Sequence, residues 1–226
     1  MRGPCGGDRE AQAKIHGALI AGVEGRRALV AGGASGIGAA SAARLAELGA
    51  EVVIADIDAA NGERVSREIG AQFLAVDLIE YDAPARALAL NLEAALNVIH
   101  VVLPAMQKGG YGRVVHVASE AGRLGTKGGV IAFTRLIAHA LDRARERRFG
   151  ITANVVAPGS VDTPMPRRAA VEGGQKRLAA MTSATLPGRL GQPEKIAPAV
   201  AFLASQEAAF IIGEVLGVSG GMGCGA

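Results

Sequence analysis

The chain has 226 residues, of which 50% are apolar and 20% charged, and its 24 basic and 21 acidic residues leave a formal net charge of +3 at pH 7. A chain of this length and apolar content can bury a core without a disulfide or a metal, which excludes the disordered and disulfide-framed classes. The balanced charge and an aromatic share of 3% argue against nucleic-acid partners, which need basic grooves and stacking rings.

The cysteine content and the apolar runs bear on the compartment. Only Cys5 and Cys224 are present, both in Gly-rich terminal stretches, which fits a reducing compartment. The longest apolar stretches fall well short of the ~18 residues of a membrane-spanning helix. The sequence therefore predicts a cytoplasmic protein without a membrane partner. Residues 1–22 are predicted to be a loosely ordered extension, and residues 23–226 a single folded domain.

From residue 23 onward, apolar runs of strand length alternate with segments of helix length. The predicted strands are 27–31, 51–55, 72–76, 113–118, 152–157 and 214–218. The first predicted helix follows the glycine-rich loop and ends at residue 48. The others cover 61–69, 82–104, 127–149 and 193–204. This alternation is typical of a parallel sheet covered on both faces. The predicted class is α/β, a Rossmann-like doubly wound parallel sheet.

A glycine-rich loop joins the first predicted strand to the first helix. Its members are Gly32, Ser35, Gly36, Ile37 and Gly38. The free N–H groups and the dipole at such a helix N-terminus attract a pyrophosphate, and glycine lets the phosphate approach closely. The alternative is a Rossmann fold that has lost its ligand, because a fold does not by itself establish a function.

Asp56 strengthens the prediction of a dinucleotide site. It ends the second strand, 18 residues after Gly38, near the ~20-residue spacing at which a carboxylate binds the adenosine ribose. Its negative charge repels a 2′-phosphate, and neither Ser35 nor Ile57 supplies a compensating cation. The predicted cofactor is therefore NAD rather than NADP.

At this point the sequence resembles a known family, the short-chain dehydrogenase/reductases, from about Val23 to the C-terminus. Residues 31–38 resemble its cofactor loop, with Ala31 where the motif usually has Thr. In the same order, further motifs resemble the adenine contact (Asp77, Leu78), the catalytic Asn, Ser and Lys (Asn91, Ser119, Lys127) and the nicotinamide-side loop (Pro158, Gly159, Thr163). The resemblance implies hydride transfer between a small secondary alcohol and a ketone, with Lys127 binding the ribose.

The family's catalytic Tyr is missing from this pattern. In the family, Tyr lies four residues before Lys on the same helix face and passes a proton to the carbonyl. Here that position is Arg123, and only eight residues separate Ser119 from Lys127, about half of the family spacing. Tyr111 is predicted to lie some 25 Å from Ser119, and Tyr81 about 15 Å from Asn91 along a helix axis. Both are predicted to be surface residues. His116 is predicted to be a hydrogen-bonded core histidine facing away from Ser119.

A helix-strand unit that carries the family's Asn-Asn-Ala-Gly motif is also missing, between Asp77 and Asn91. We therefore expect six strands, with the strand that ends near Ser119 pairing beside the strand that ends at Ala31. Such pairing places the strand that ends near Ser119 one position closer to the centre of the sheet. Ser119 is then expected to be shifted by about 4.8 Å relative to the cofactor. Activity is expected to be impaired.

Three readings of the function follow. The chain is an impaired NAD-dependent dehydrogenase, a non-catalytic NAD-binding protein, or a truncated gene product that folds poorly. The resemblance also implies a homo-oligomer through the Asn91 and Lys127 helices, with an apolar face of Leu92, Ile99, Leu103, Ile131 and Leu136. Residues 164–187 are expected to cover the substrate, with Met165, Met181 and Leu186 as an apolar lining. No metal site is predicted, because no histidine has a partner at ligand spacing.

Overall fold

A computed structural model describes residues 22–77, 92–120, 126–143 and 150–222, without the side chains of residues 126–127, 142–143, 165–166 and 168–173. The strands are β1 (Arg27–Ala31), β2 (Glu51–Asp56), β3 (Gln72–Ala75), β4 (Gly112–Val117), β5 (Ile151–Pro158) and β6 (Val215–Val218). The helices are α1 (Gly36–Glu47), α2 (Ala59–Ile69), α3 (Ala94–Gly109), α4 (Thr126–Arg143), α5 (Pro164–Ser183) and α6 (Pro193–Ala204). Parallel strands alternate with helices, which confirms the predicted α/β class.

Two helices differ from the prediction. α3 continues through Pro104 to Gly109, so the predicted end at Pro104 was wrong. Pro104 is exposed, and water can bind the carbonyl that its missing N–H leaves free. α5 was not predicted as a helix, and Gly174 interrupts it with φ +64° and ψ −167°. The predicted helix residues 82–91 and 144–149 lie outside the described residues.

The six strands form two separate parallel sheets, β1-β2-β3 and β4-β5-β6. The predicted pairing of β4 beside β1 was therefore wrong. The expected 4.8 Å shift of Ser119 depended on that pairing and does not follow from this sheet arrangement. Packing of α1 on α6 explains the separation. Ala42 and Leu45 of α1 share one buried cluster with Ala201 of α6, and packed helix axes lie about 8–10 Å apart, roughly two strand spacings.

The core of the second sheet lies around β5, which is buried along its whole length. Val156 packs there with Ile196, Val200 and Leu203 of α6. Burial on both faces explains why this strand is a nearly continuous apolar run. Its one amide side chain, Asn154, donates to the Ile211 carbonyl at 2.8 Å.

Candidate cofactor site

The glycine loop lies at the carboxyl end of β1, and each glycine meets different surroundings. Gly32 has φ +74° and open space where a side chain would lie, which leaves room for a ligand to approach the backbone. A Cβ at Gly38 would overlap the Gly32 carbonyl oxygen. Gly38 is therefore required for α1 to pack against β1.

The N-terminus of α1 suits an anion. Its N-cap residue, Ser35, is extended and makes no capping hydrogen bond through its side chain, and the first turn has no acidic residue. The helical hydrogen bonds of α1 begin with the Ala39 N–H, which donates to the Ser35 carbonyl at 3.1 Å. The preceding N–H groups lack intrahelical partners, and the helix dipole adds partial positive charge. This end of α1 can therefore hold a pyrophosphate.

The Asp56 carboxylate is fixed beside this loop by two backbone groups. The Ala34 N–H donates to Oδ2 and the Asp58 N–H donates to Oδ1, each at 3.0 Å. Carboxylate oxygens have further lone pairs, so Asp56 can still accept hydrogen bonds from a ribose diol. The neighbouring Ile57 is 62% exposed and brings no positive charge. The residues present thus fit the ribose of an adenine dinucleotide.

The loop after β5 meets the glycine loop from the other sheet. A Cβ at Gly36 would lie 3.1 Å from Cγ2 of Thr163, which is the N-cap residue of α5. Pro158 ends β5, and Gly159 follows it. Gly159 lies so close to the backbone of Ser219 that a Cβ at Gly159 would overlap the Ser219 carbonyl oxygen. The structure therefore brings both predicted cofactor loops to one place, between the carboxyl ends of β1 and β5.

The remaining predicted site residues are only partly described. Ser119 follows β4 at its carboxyl end, and Asp77 follows β3. Lys127 lies in the first turn of α4, whereas Leu78 and Asn91 lie outside the described residues. A Cβ at Gly129, two residues after Lys127, would lie 3.7 Å from Cδ2 of Leu92. The chain next to Asn91 therefore contacts the beginning of α4.

Tyr111 lies far from this site. It immediately precedes β4, at the amino end of the strand, and its hydroxyl donates to the Ala204 carbonyl at 3.3 Å. Two guanidinium groups lie over its ring, with Cζ of Arg26 at 3.9 Å and Cζ of Arg113 at 4.5 Å from the ring centroid. At ~3.3 Å per residue, Ser119 is some 25 Å away. Tyr111 thus bridges structural elements and is not the simple surface residue expected.

His116 is hydrogen-bonded to α4 and is not suited to act as the proton donor. The Thr134 hydroxyl donates to the Val130 carbonyl at 2.6 Å, so its oxygen accepts from Nδ1–H of His116 at 2.7 Å. Burial lowers the pKa of His116 to about 4. The imidazole is therefore neutral at pH 7 and has no proton to give as an acid, in agreement with a core role.

An ion pair that the sequence did not indicate lies next to Thr163. Nε of Arg167 lies 2.6 Å from Oδ1 of Asp162, and this hydrogen bond lowers the pKa of Asp162. The Asp162 N–H also donates to the Gly191 carbonyl at 2.8 Å. These bonds fix the entry to α5. A separation of five residues across a helix start is not a recognised pairing signal, so the sequence offered no means of finding it.

The described residues contain no group of three or more His, Cys, Asp or Glu side chains placed to hold a metal ion. None of the helices within the described ranges is both long and apolar enough to cross a membrane.

Comparison with known proteins gives similarities over nearly the whole chain. Residues 26–87 match the family model described as short chain dehydrogenase, and residues 79–223 match the model described as Enoyl-(Acyl carrier protein) reductase. The chain is 34% identical over 247 residues to the 3-oxoacyl-[acyl-carrier-protein] reductase FabG of Escherichia coli, covering 88% of this chain and 98% of the relative. It is 34% identical over 250 residues to the (2S)-[(R)-hydroxy(phenyl)methyl]succinyl-CoA dehydrogenase subunit BbsD of Thauera aromatica, covering 88% and 97%. It is 31% identical over 247 residues to the 3-oxoacyl-[acyl-carrier-protein] reductase MabA of Mycobacterium bovis, covering 88% and 94%.

Proposed function

This chain belongs to the short-chain dehydrogenase/reductase family, and from that premise we propose that it binds NAD and transfers hydride between a secondary alcohol and a ketone at an impaired rate. The observation that carries the proposal is the Asp56 carboxylate, fixed by the Ala34 and Asp58 N–H groups beside the glycine loop. When bound, the nicotinamide ring supplies the hydride acceptor or donor. The relatives named for 3-oxoacyl and hydroxyacyl substrates support a small oxo or hydroxy compound as the substrate class.

The proposed roles of the chain's own residues are those that their matching positions in the family's motifs imply. The α1 N-terminus binds the pyrophosphate, and Asp56 accepts hydrogen bonds from the adenosine ribose. Ser119 polarises the substrate carbonyl, Lys127 binds the nicotinamide ribose, and Asn91 holds a water. Pro158, Gly159 and Thr163 lie on the nicotinamide side, and Asp77 and Leu78 contact the adenine.

Impairment is proposed because no side chain among the described residues is placed for the proton step. Arg123 stands where the family pattern has Tyr, and Tyr111 is engaged at the opposite end of β4. The aligned length of 247 residues exceeds the whole chain of 226, so the relative has segments without a counterpart here. That excess supports missing internal segments, as expected for the Tyr loop and the Asn-Asn-Ala-Gly strand. A non-catalytic NAD-binding protein and a truncated gene product are the alternatives.

The cofactor preference can be tested at Asp56. By calorimetry, NAD is expected to bind saturably, and NADP at least ~10-fold more weakly, because its 2′-phosphate meets a fixed carboxylate. An Asp56→Arg variant is expected to lose NAD affinity and to reverse the preference. Arg64→Ala serves as the control, because Arg64 pairs with Glu68 on the exposed face of α2. Equal affinity for NAD and NADP in the unmodified protein contradicts the assignment of Asp56.

We also propose that the protein is a cytoplasmic homo-oligomer assembled through α3 and α4. The supporting observation is exposed apolar surface on both helices, with Val101 73% and Leu136 65% exposed. Ile99, by contrast, is buried within its own chain and does not contribute to that face.

Oligomerisation can be tested at Leu136. Sedimentation velocity is expected to show a species larger than one chain, and Leu136→Asp is expected to shift it towards the monomer, because a charge in an apolar interface is costly to bury. Leu186→Asp is the matched control, since Leu186 is exposed but lies outside both helices. A monomer at micromolar concentration in the unmodified protein overturns this part of the proposal.

A further inference from the structure

The beginning of α5 lacks the side-chain cap that its sequence offers. Thr163 is the N-cap residue, with φ −129° and ψ 168°, yet its side chain makes no capping hydrogen bond. Such a hydroxyl normally accepts from the N–H of the second or third helical residue. Here Pro164 and Pro166 are the first and third helical residues, and proline has no N–H to offer. The Thr163 hydroxyl is therefore not committed to the helix and can bind another group.

A side-chain ion pair holds the beginning of α5 instead. Arg167 donates from Nε to Oδ1 of Asp162 at 2.6 Å and from Nη2 to Oδ2 at 2.9 Å. A guanidinium that bonds both carboxylate oxygens is fixed in orientation as well as in distance. The Arg167 backbone N–H also donates to the Thr163 carbonyl at 3.2 Å. Arg167 is thus bonded to Thr163 and to the residue before it, which fixes the backbone around Thr163.

Asp162 is in turn connected to the beginning of α6. Its N–H donates to the Gly191 carbonyl, and the Gly191 N–H donates to the Ser160 carbonyl, each at 2.8 Å. The side chain of Gln192, the N-cap residue of α6, also hydrogen-bonds to the Asp162 carboxylate. α6 packs into the buried core of the second sheet. Asp162 therefore connects Thr163 to a well-packed part of the molecule.

Thr163 lies where the two halves of the proposed cofactor site meet. A Cβ at Gly36 would lie 3.1 Å from Cγ2 of Thr163 and 3.9 Å from Cδ of Pro164. Gly36 belongs to the glycine loop after β1, whereas Thr163 follows β5. These two strands belong to separate sheets, so no strand pairing among the described residues fixes the distance between the loops. The position of Thr163 therefore depends on the bonds at the beginning of α5.

We propose that Asp162 and Arg167 are positioning residues that hold the Thr163 hydroxyl towards the nicotinamide end of a bound dinucleotide. The inference rests on the proposed function, in which Thr163 lies on the nicotinamide side. The ion pair takes over the capping of α5, and the hydroxyl is thereby left free to hydrogen-bond the cofactor. Asp162 and Arg167 act through Thr163 and do not touch the ligand.

The exposure of the ion pair determines the size of the expected effect. The Arg167 side chain is 69% exposed and that of Asp162 24%. Exposed ion pairs contribute little in water, except where the geometry is two-point or several groups form a network. Both conditions hold here, so we expect loss of the pair to weaken NAD binding by about 3- to 5-fold.

Calorimetric titration with NAD and with ADP-ribose isolates this effect. ADP-ribose has the adenosine, both phosphates and the second ribose, but no nicotinamide ring. Arg167→Ala is expected to lower NAD affinity by about 3- to 5-fold and to leave ADP-ribose affinity unchanged. Arg177→Ala is the matched control, because Arg177 is an exposed arginine of the same helix beyond Gly174, and it is expected to change neither affinity. Equal losses for both ligands in Arg167→Ala contradict the positioning role, because the variant then disturbs the whole site.

A double-mutant cycle tests whether Arg167 acts through Thr163. Thr163→Val keeps the shape of the side chain but removes the hydroxyl, and it is expected to lower NAD affinity by about 3- to 10-fold. Arg167→Ala is expected to cause no further loss when Thr163→Val is already present. Additive losses overturn the positioning role, because Arg167 then acts on the ligand independently of the hydroxyl.

The unmodified protein separates failure of the positioning role from failure of the proposed function. Binding of neither NAD nor ADP-ribose contradicts both. Saturable binding of both ligands, with equal NAD affinity in Arg167→Ala and the unmodified protein, contradicts the positioning role alone and leaves NAD binding established.

Discussion

Replacing Gly38 with alanine is expected to abolish measurable NAD binding, with affinity falling by at least ~100-fold. A Cβ at this position would overlap the Gly32 carbonyl oxygen and lie 2.8 Å from the Gly32 carbonyl carbon and 3.1 Å from Cα of Gly33. All three are backbone atoms, so no side chain can move aside. The beginning of α1 must then shift away from β1, and with it the N–H groups that face the pyrophosphate. Misplacement of binding groups by about 1 Å is enough for losses of this size.

The measurement is calorimetric titration with NAD, accompanied by urea unfolding. Overpacking of this kind typically costs ~1–3 kcal/mol of stability, so the variant is expected to remain folded. Gly109→Ala is the matched control, because Gly109 lies in the last turn of α3 with nothing within 4 Å of an added Cβ. It is expected to bind NAD normally and to be slightly stabilised, since alanine favours helix over glycine. Normal NAD affinity of Gly38→Ala contradicts the proposed pyrophosphate site.

Local features explain how far the sequence predicted the fold and the site. β1, β2 and β5 were predicted to within a residue or so at each end, because apolar runs between glycines and charged residues define buried strands in parallel sheets. The place of Asp56 next to the glycine loop followed from a spacing along the chain. α5 was missed because its sequence has little amphipathic periodicity and Gly174 interrupts it.

The features that the sequence could not predict depend on contacts between distant segments. The separation of β1 from β4 follows from helix packing across the sheets and from the stacking of Arg26 on Tyr111. Neither contact leaves a periodic pattern, because the two residues are 85 positions apart. Because of the same separation, the described strands form two three-stranded sheets instead of one six-stranded sheet. Strand content was thus predictable from local pattern, whereas strand order depended on tertiary packing.

Turnover of the purified protein with NAD and a panel of secondary alcohols is expected to be ~10² to 10⁴-fold below that of a family member that keeps the Tyr, the usual loss when a general acid or base is removed. Among the described side chains, no phenol lies at the carboxyl ends of the strands. His116 cannot substitute, because it is neutral and donates to Thr134. The residual rate is expected to come from water near Lys127.

Three measurements separate the possible causes of a low rate. NADH absorbance gives turnover, calorimetry gives NAD binding, and thermal unfolding shows whether the chain folds cooperatively. Tyr111→Phe is expected to leave the residual rate unchanged, because the Tyr111 hydroxyl is bonded to Ala204 far from Ser119, whereas Asp56→Arg is expected to remove it together with NAD binding. Saturable binding with no turnover makes the chain a binding protein. A rate equal to that of the complete family member contradicts impairment, because a proton donor other than the family's Tyr must then act at Ser119.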